Sequence, residues 1–143
     1  MLVSHILRQK GRDVVTVGPT IALAEAAHTL AKRKIGAVVV IGVKGDVAGI
    51  LSERDIVNAL AVDGTHALAR AVSTYMTRSV ATCGERDTID TIMEIMTDGR
   101  FRHVPVVEGG RLAGIVSIGD VVKTRIEESE REASALKQYI AAG

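Results

Sequence analysis

Aromatic side chains are nearly absent from this chain of 143 residues: there is no tryptophan, and Tyr75, Phe101 and Tyr139 are the only three. A protein that binds single strands by stacking bases on aromatic rings is therefore excluded. The formal net charge is only +1, which argues against a surface built to grip phosphate backbones without sequence preference. Cys83 is the only cysteine, so no internal disulfide and no cysteine-rich zinc site can form, and a reducing compartment is implied. In its apolar context Cys83 reads as a core residue. Long apolar runs are missing too. The longest, AVVVI, is far short of a membrane span, and MLVSHILRQKGRD lacks the apolar centre of a signal peptide. A soluble, cytoplasmic protein with neither nucleic acid nor membrane as partner is expected.

Apolar residues are plentiful, at 47% of the chain, and they are organised by a repeat. At an offset of 66 residues, Val14, Thr16, Gly18, Val38 and Val40 fall on Val80, Thr82, Gly84, Val104 and Val106. One residue fewer in the following turn restores the register. Gly45, Ala48, Gly49, Ile50, Ser52, Asp55 and Val57 then fall on Gly110, Ala113, Gly114, Ile115, Ser117, Asp120 and Val122.

Each copy has the same internal order. A short β-branched segment opens it, VVTV or VAT. A helical face follows, with Leu23, Ala26, Ala27 and Leu30 in one copy and Ile89, Ile92, Met93 and Met96 in the other. The methionines are core filler rather than a cofactor box. Two apolar strands come next around a glycine-bearing turn, and their valines imply burial on both faces. A second helix starts near Ser52 or Ser117. The fold class is α+β, with two β-α-β-β-α repeats. A unit of about sixty residues has little core of its own, so the two are expected to pack sheet to sheet with pseudo-two-fold symmetry. The boundaries are set at 1–68 for the first repeat with an N-terminal helix, 69–127 for the second, and 128–143 for a C-terminal helical extension. The segment VVKTRIEESEREASALKQYIAAG, which includes that extension, reads as one long helix, and its Val122, Ile126, Ala133, Leu136 and Ile140 form an apolar stripe that needs covering, by the chain's own first helix or by a second subunit. The EESERE run is its solvated face.

The repeated stretches GILSERDI and GIVSIGDV, together with RFRHVPVV and the pair Met76–Thr77, resemble the signature of a CBS-domain pair, or Bateman module, of the stand-alone bacterial type. The likeness extends from about Val14 to Val122. It implies a regulatory role with no obligatory cofactor. It also implies an adenosine-containing ligand bound in two clefts between the repeats: AMP foremost, and otherwise ADP, ATP, S-adenosylmethionine or NAD. It further implies a homodimer and an effector protein that reads the ligand. The motif aspartate would hold the ribose, while the serine, the residue before the aspartate and basic residues starting the partner repeat's second strand would handle phosphate. One cleft would join Ser52, Arg54 and Asp55 to Thr82, Arg102 and His103. The other would join Ser117, Gly119 and Asp120 to Thr16, Gly36 and Ala37. Only the first set carries cations, and a guanidinium forks well onto phosphate, so the first cleft is the better phosphate site.

A second reading of Ser-x-x-Asp needs no ligand, because the same spacing is a helix capping box. A serine can cap and still present a helix N-terminus to an anion, whereas for the aspartate capping and ribose binding compete. His103 reads equally as a strand histidine, and Arg102 as a surface charge. His5, His28 and His66 have no partner at metal-ligand spacing. Catalysis is not expected: GIVSIGD lacks the first glycine of a nucleophile elbow, no base is placed for Ser117, and no phosphate-loop or dinucleotide glycine pattern occurs.

Overall fold

A computed structural model describes residues 1–142. Helix α1 (Val3–Lys10) precedes the first repeat, which runs β1 (Thr16–Val17), α2 (Leu23–Arg33), β2 (Ala37–Ile41), β3 (Val47–Ser52) and α3 (Glu53–Asp63). Two short 3-10 turns, Gly64–Ala69 and Val72–Thr74, link it to α4 (Ile89–Gly99), β4 (His103–Glu108), β5 (Arg111–Ser117) and α5 (Ile118–Ala142). The repeat is a structural one. Val17 pairs in parallel with Val40, and Cys83 with Val106. Ala37 faces Ser52, and His103 faces Ser117. Each hairpin even carries a bulge at the same place, Val40/Ile41 and Val106/Val107. The opening strand of the second repeat is reduced to the single bridge at Cys83, held by Cys83 N–H donating to Pro105 O (3.0 Å) and Val107 N–H donating to Cys83 O (2.8 Å).

Two apolar cores result. One gathers Leu23, Leu30, Val38, Val40 and Leu51 of the first repeat; the other gathers Ile89, Ile92, Val104, Val106 and Val116 of the second. Strand alternation turns Val39 and Pro105 to the opposite sheet face, and these too are buried. That burial on both faces is why β2 reads as an unbroken apolar run.

Helix α1 leads into the first repeat, yet Val3, Ile6 and Leu7 are buried in the second repeat's core. Val3 N–H donates to Asp87 O and Ile89 N–H to Met1 O. The linker does the reverse. Ala67, Val72 and Met76 are buried in the first repeat's core, with Val72 N–H donating to Ile21 O and Leu23 N–H to Arg70 O. Each repeat is therefore sealed by the segment that leads into the other one. Glycine makes the seal close: a Cβ on Gly114 would lie 2.7 Å from Leu7 Cδ2, and one on Gly49 2.7 Å from Met76 Sδ.

The last helix runs without a break through residue 142, and Gly143 of the expected extension lies outside the described residues. Val121 and Thr124 face the core. The stripe of Val122, Ile126, Leu136 and Ile140 is left exposed, so α1 does not cover it.

Candidate functional site

Both Ser-x-x-Asp motifs sit where a strand hands over to a helix, and both form capping boxes. Ser52 N–H donates to Asp55 Oδ2 (2.9 Å), and Asp55 N–H to Ser52 Oγ (3.3 Å). In the second copy Ser117 N–H donates to Asp120 Oδ2 (2.9 Å), and Asp120 N–H to Ser117 Oγ (3.2 Å). The box consumes one carboxylate oxygen only. Asp55 Oδ1 has just a long contact from the Thr77 hydroxyl at 3.5 Å, which leaves it available as an acceptor. Capping thus uses one carboxylate oxygen and does not compete for the other.

Around the first motif lies a cavity of about 400 Å³. Ser52, Arg54 and Asp55 line it from the first repeat, and Arg102 and His103 from the second. Gly36, expected in the other cleft, lines this one instead. It lies against the start of β4: a Cβ on Gly36 would lie 3.1 Å from His103 Cε1, so glycine there makes room for the imidazole. Thr82 is exposed and not among the lining residues; Ser79, Val80 and Ala81 of the same segment are. The lining further includes Ile50, Thr77, Gly99 at the end of α4, and Arg100 and Phe101 in the turn that leads into β4. Arg100 and Phe101 open RFRH, the stretch that also holds Arg102 and His103. Glu53, which had no role, also lines the cavity, and its N–H donates to Gly36 O (3.0 Å).

The electrostatics of this cavity favour an anion. Arg54 reaches across the repeat boundary, its Nη1 donating to Arg100 O (3.2 Å). That carbonyl belongs to a residue in the left-handed region, φ 56°. His103 is half-buried, and its pKa is lowered, first by burial and then by the charge of Lys10. The imidazole is accordingly neutral near pH 7, able to donate one hydrogen bond without a charge.

The residues assigned to the second cleft are less closely gathered. Ser117 and Asp120 are together in the capping box, with Gly119 exposed beside them. Thr16 is exposed on β1 and Ala37 is buried opposite Ser52. Gly119 instead joins Ile118, Val122 and Ile126 in an apolar groove along α5. A residue of α1, ahead of the first repeat's opening strand, stands over the second motif. Lys10 Nζ donates to Asp120 Oδ2 (2.7 Å) and to Ile115 O (3.0 Å). Burial pushes the Asp120 carboxyl up, but the bonds from Lys10 and Ser117 outweigh it and hold its pKa below the usual range.

Comparison with known proteins bears on the family and the fold. The profile of the family described as CBS domain matches residues 3–62 and 72–127. The CBS-domain protein ATU1752 from Agrobacterium tumefaciens is 58% identical, with 87% of this chain and 92% of that one covered and a TM-score of 0.84. The CBS pair of protein MJ0100, solved with 5′-methylthioadenosine and S-adenosylmethionine, is 28% identical over 90% of this chain and 98% of that one, with a TM-score of 0.78. The CBS-domain protein PAE2072 from Pyrobaculum aerophilum, solved with AMP, is 28% identical over 84% and 89%, with a TM-score of 0.75.

Proposed function

Because the chain belongs to the CBS-domain family and carries two copies of the domain, we propose that it is a regulatory module that binds an adenine nucleotide, AMP foremost, between its repeats. The observation that carries this reading is the cavity at the first motif, which brings an acid with a spare oxygen together with Arg54, Arg102 and His103. Two relatives were solved with adenosine compounds, which supports the choice of ligand class. Asp55 takes the ribose hydroxyls on Oδ1. The helix start at Ser52 and the guanidinium of Arg54 take the phosphate, and Arg54 must leave the Arg100 carbonyl to do so. The ligand then touches both repeats at once, so any difference in affinity between two repeat arrangements shifts their balance. A charge-assisted bond contributes about 1.5–3 kcal/mol, so Asp55→Ala should weaken AMP binding roughly tenfold to a hundredfold in calorimetry. Unchanged affinity in both Asp55→Ala and Asp120→Ala would remove the ribose assignment.

A second reading is an assembly module whose clefts hold no nucleotide. The exposed stripe on α5 favours it. Val122, Ile126, Ala133, Leu136 and Ile140 fit a heptad spacing, the pattern of a helix that meets another helix along a seam. Thermal shift against AMP, ADP, ATP, S-adenosylmethionine and NAD separates the two readings. Stabilisation by an adenosine compound supports sensing; none at all supports assembly alone. A homodimer through α5 belongs to both, and light scattering at micromolar concentration tests it.

A further inference from the structure

The two motifs are equivalent in backbone but not in what stands over them. At the first, the chain segment leading into the second repeat closes in: Ile50 and Thr77 exchange backbone hydrogen bonds (3.0 and 2.9 Å), and the Thr77 hydroxyl approaches Asp55. At the second, the segment leading into the first repeat does the same with a side chain. The Lys10 ammonium takes Ile115 O, which corresponds to Ile50 O, and Asp120, which corresponds to Asp55. Lys10 is thus placed by the fold, at the last turn of a helix anchored by Leu7 on Gly114.

We propose that Lys10 is a ligand-binding residue of the second cleft, forming with Asp120 a clamp for the vicinal diol of a ribonucleotide. This inference rests on the reading of the motif aspartates as ribose acceptors. The ammonium has three N–H groups, and two are engaged. Asp120 Oδ2 is engaged twice, by Ser117 N–H and Lys10; among the described residues nothing bonds Oδ1. The pair therefore presents an ionised acceptor oxygen beside an unspent donor. One hydroxyl of a diol donates to Oδ1, and the neighbouring oxygen accepts from Nζ. The side chains are 32% and 22% exposed, open enough to be reached and enclosed enough for the bonds to matter. Lys10 also supplies a positive charge beside the second motif, where Gly119 stands in place of Arg54. The second cleft is then a composite of the second repeat and α1, the helix that leads into the first repeat.

The test isolates the second cleft in Asp55→Ala protein, titrated with AMP by calorimetry beside the wild type. Residual AMP binding is expected, weakened about tenfold by adding Lys10→Met and largely retained with Lys10→Arg. The preference for AMP over 2′-deoxy-AMP should shrink in step, which a merely structural ion pair would not cause. Unaltered binding in the Lys10→Met protein overturns the inference. So does tighter binding, which would mark Lys10 as a plug that the ligand displaces, and so does the absence of any AMP binding to Asp55→Ala when the wild type binds. If no adenosine compound binds the wild type, the sensing function itself falls and this inference with it. Circular dichroism of the ligand-free variants checks that each is folded.

Discussion

His103 lines the cavity at the first motif and feels the charges of Lys10 and Asp120 at the second, and its titration couples stability to pH. Glu53 and Asp120 pull its pKa up, while burial, Lys10 and Arg102 push it down and prevail. The unfolded chain takes up this proton near pH 6.5 or so; the folded chain resists until lower pH. Stability from this group is therefore full above that value and declines as pH falls towards the folded pKa. The melting temperature should drop between about pH 7.5 and 5.5, and the slope should be shallower in His103→Gln. An equal slope in the two proteins would assign the effect elsewhere. Cys83 behaves oppositely in reactivity. Burial, helped by Asp87 and Glu108, pushes its thiol up to about 12, so labelling with a thiol reagent at pH 8 should follow unfolding rather than direct attack. Rapid labelling of the native protein would contradict this.

Helices α2 and α4 each end on a non-glycine residue in the left-handed region, Lys34 at φ 55° and Arg100 at φ 56°. The repeat keeps this cap at equivalent places although its residue types suggest nothing of it, because neither lysine nor arginine signals a helix end the way glycine does. Lys34→Gly should stabilise the protein by up to about 1 kcal/mol in urea unfolding; a loss of stability would mean that the Lys34 side chain holds more than the backbone costs. What the sequence did make legible at this scale were features set by periodicity: the apolar faces of α2 and α4, the paired strands, and the serine that starts each second helix. What it left hidden depends on contacts between distant segments. Thr82 was named where Val80 and Ala81 line the cavity, because the opening segment of a repeat touches the site with residues that a motif alignment cannot rank. Lys10 was missed altogether, since it lies ahead of the repeat and meets Asp120 only once α1 crosses to the other half.

At the scale of the whole molecule, the two cores are closed by exchanged segments, α1 on the second repeat and the 64–77 linker on the first. Movement of one repeat against the other must therefore carry the other's seal with it, and a nucleotide bound as proposed should alter the melting contribution of α1. Truncation of residues 1–11 exposes the second repeat's core around Ile89 and Ile92, and should lower the melting temperature by more than 5 °C or so given the burial lost; an unchanged melt would show that α1 is dispensable. The exchange also bears on divisibility. Cutting the chain between the repeats would part each core from the strap that covers it, because Val3, Ile6 and Leu7 belong to one core and Ala67, Val72 and Met76 to the other. Two recognisable repeats are thus one folding unit, stitched by the very segments that sequence order assigns to the opposite half.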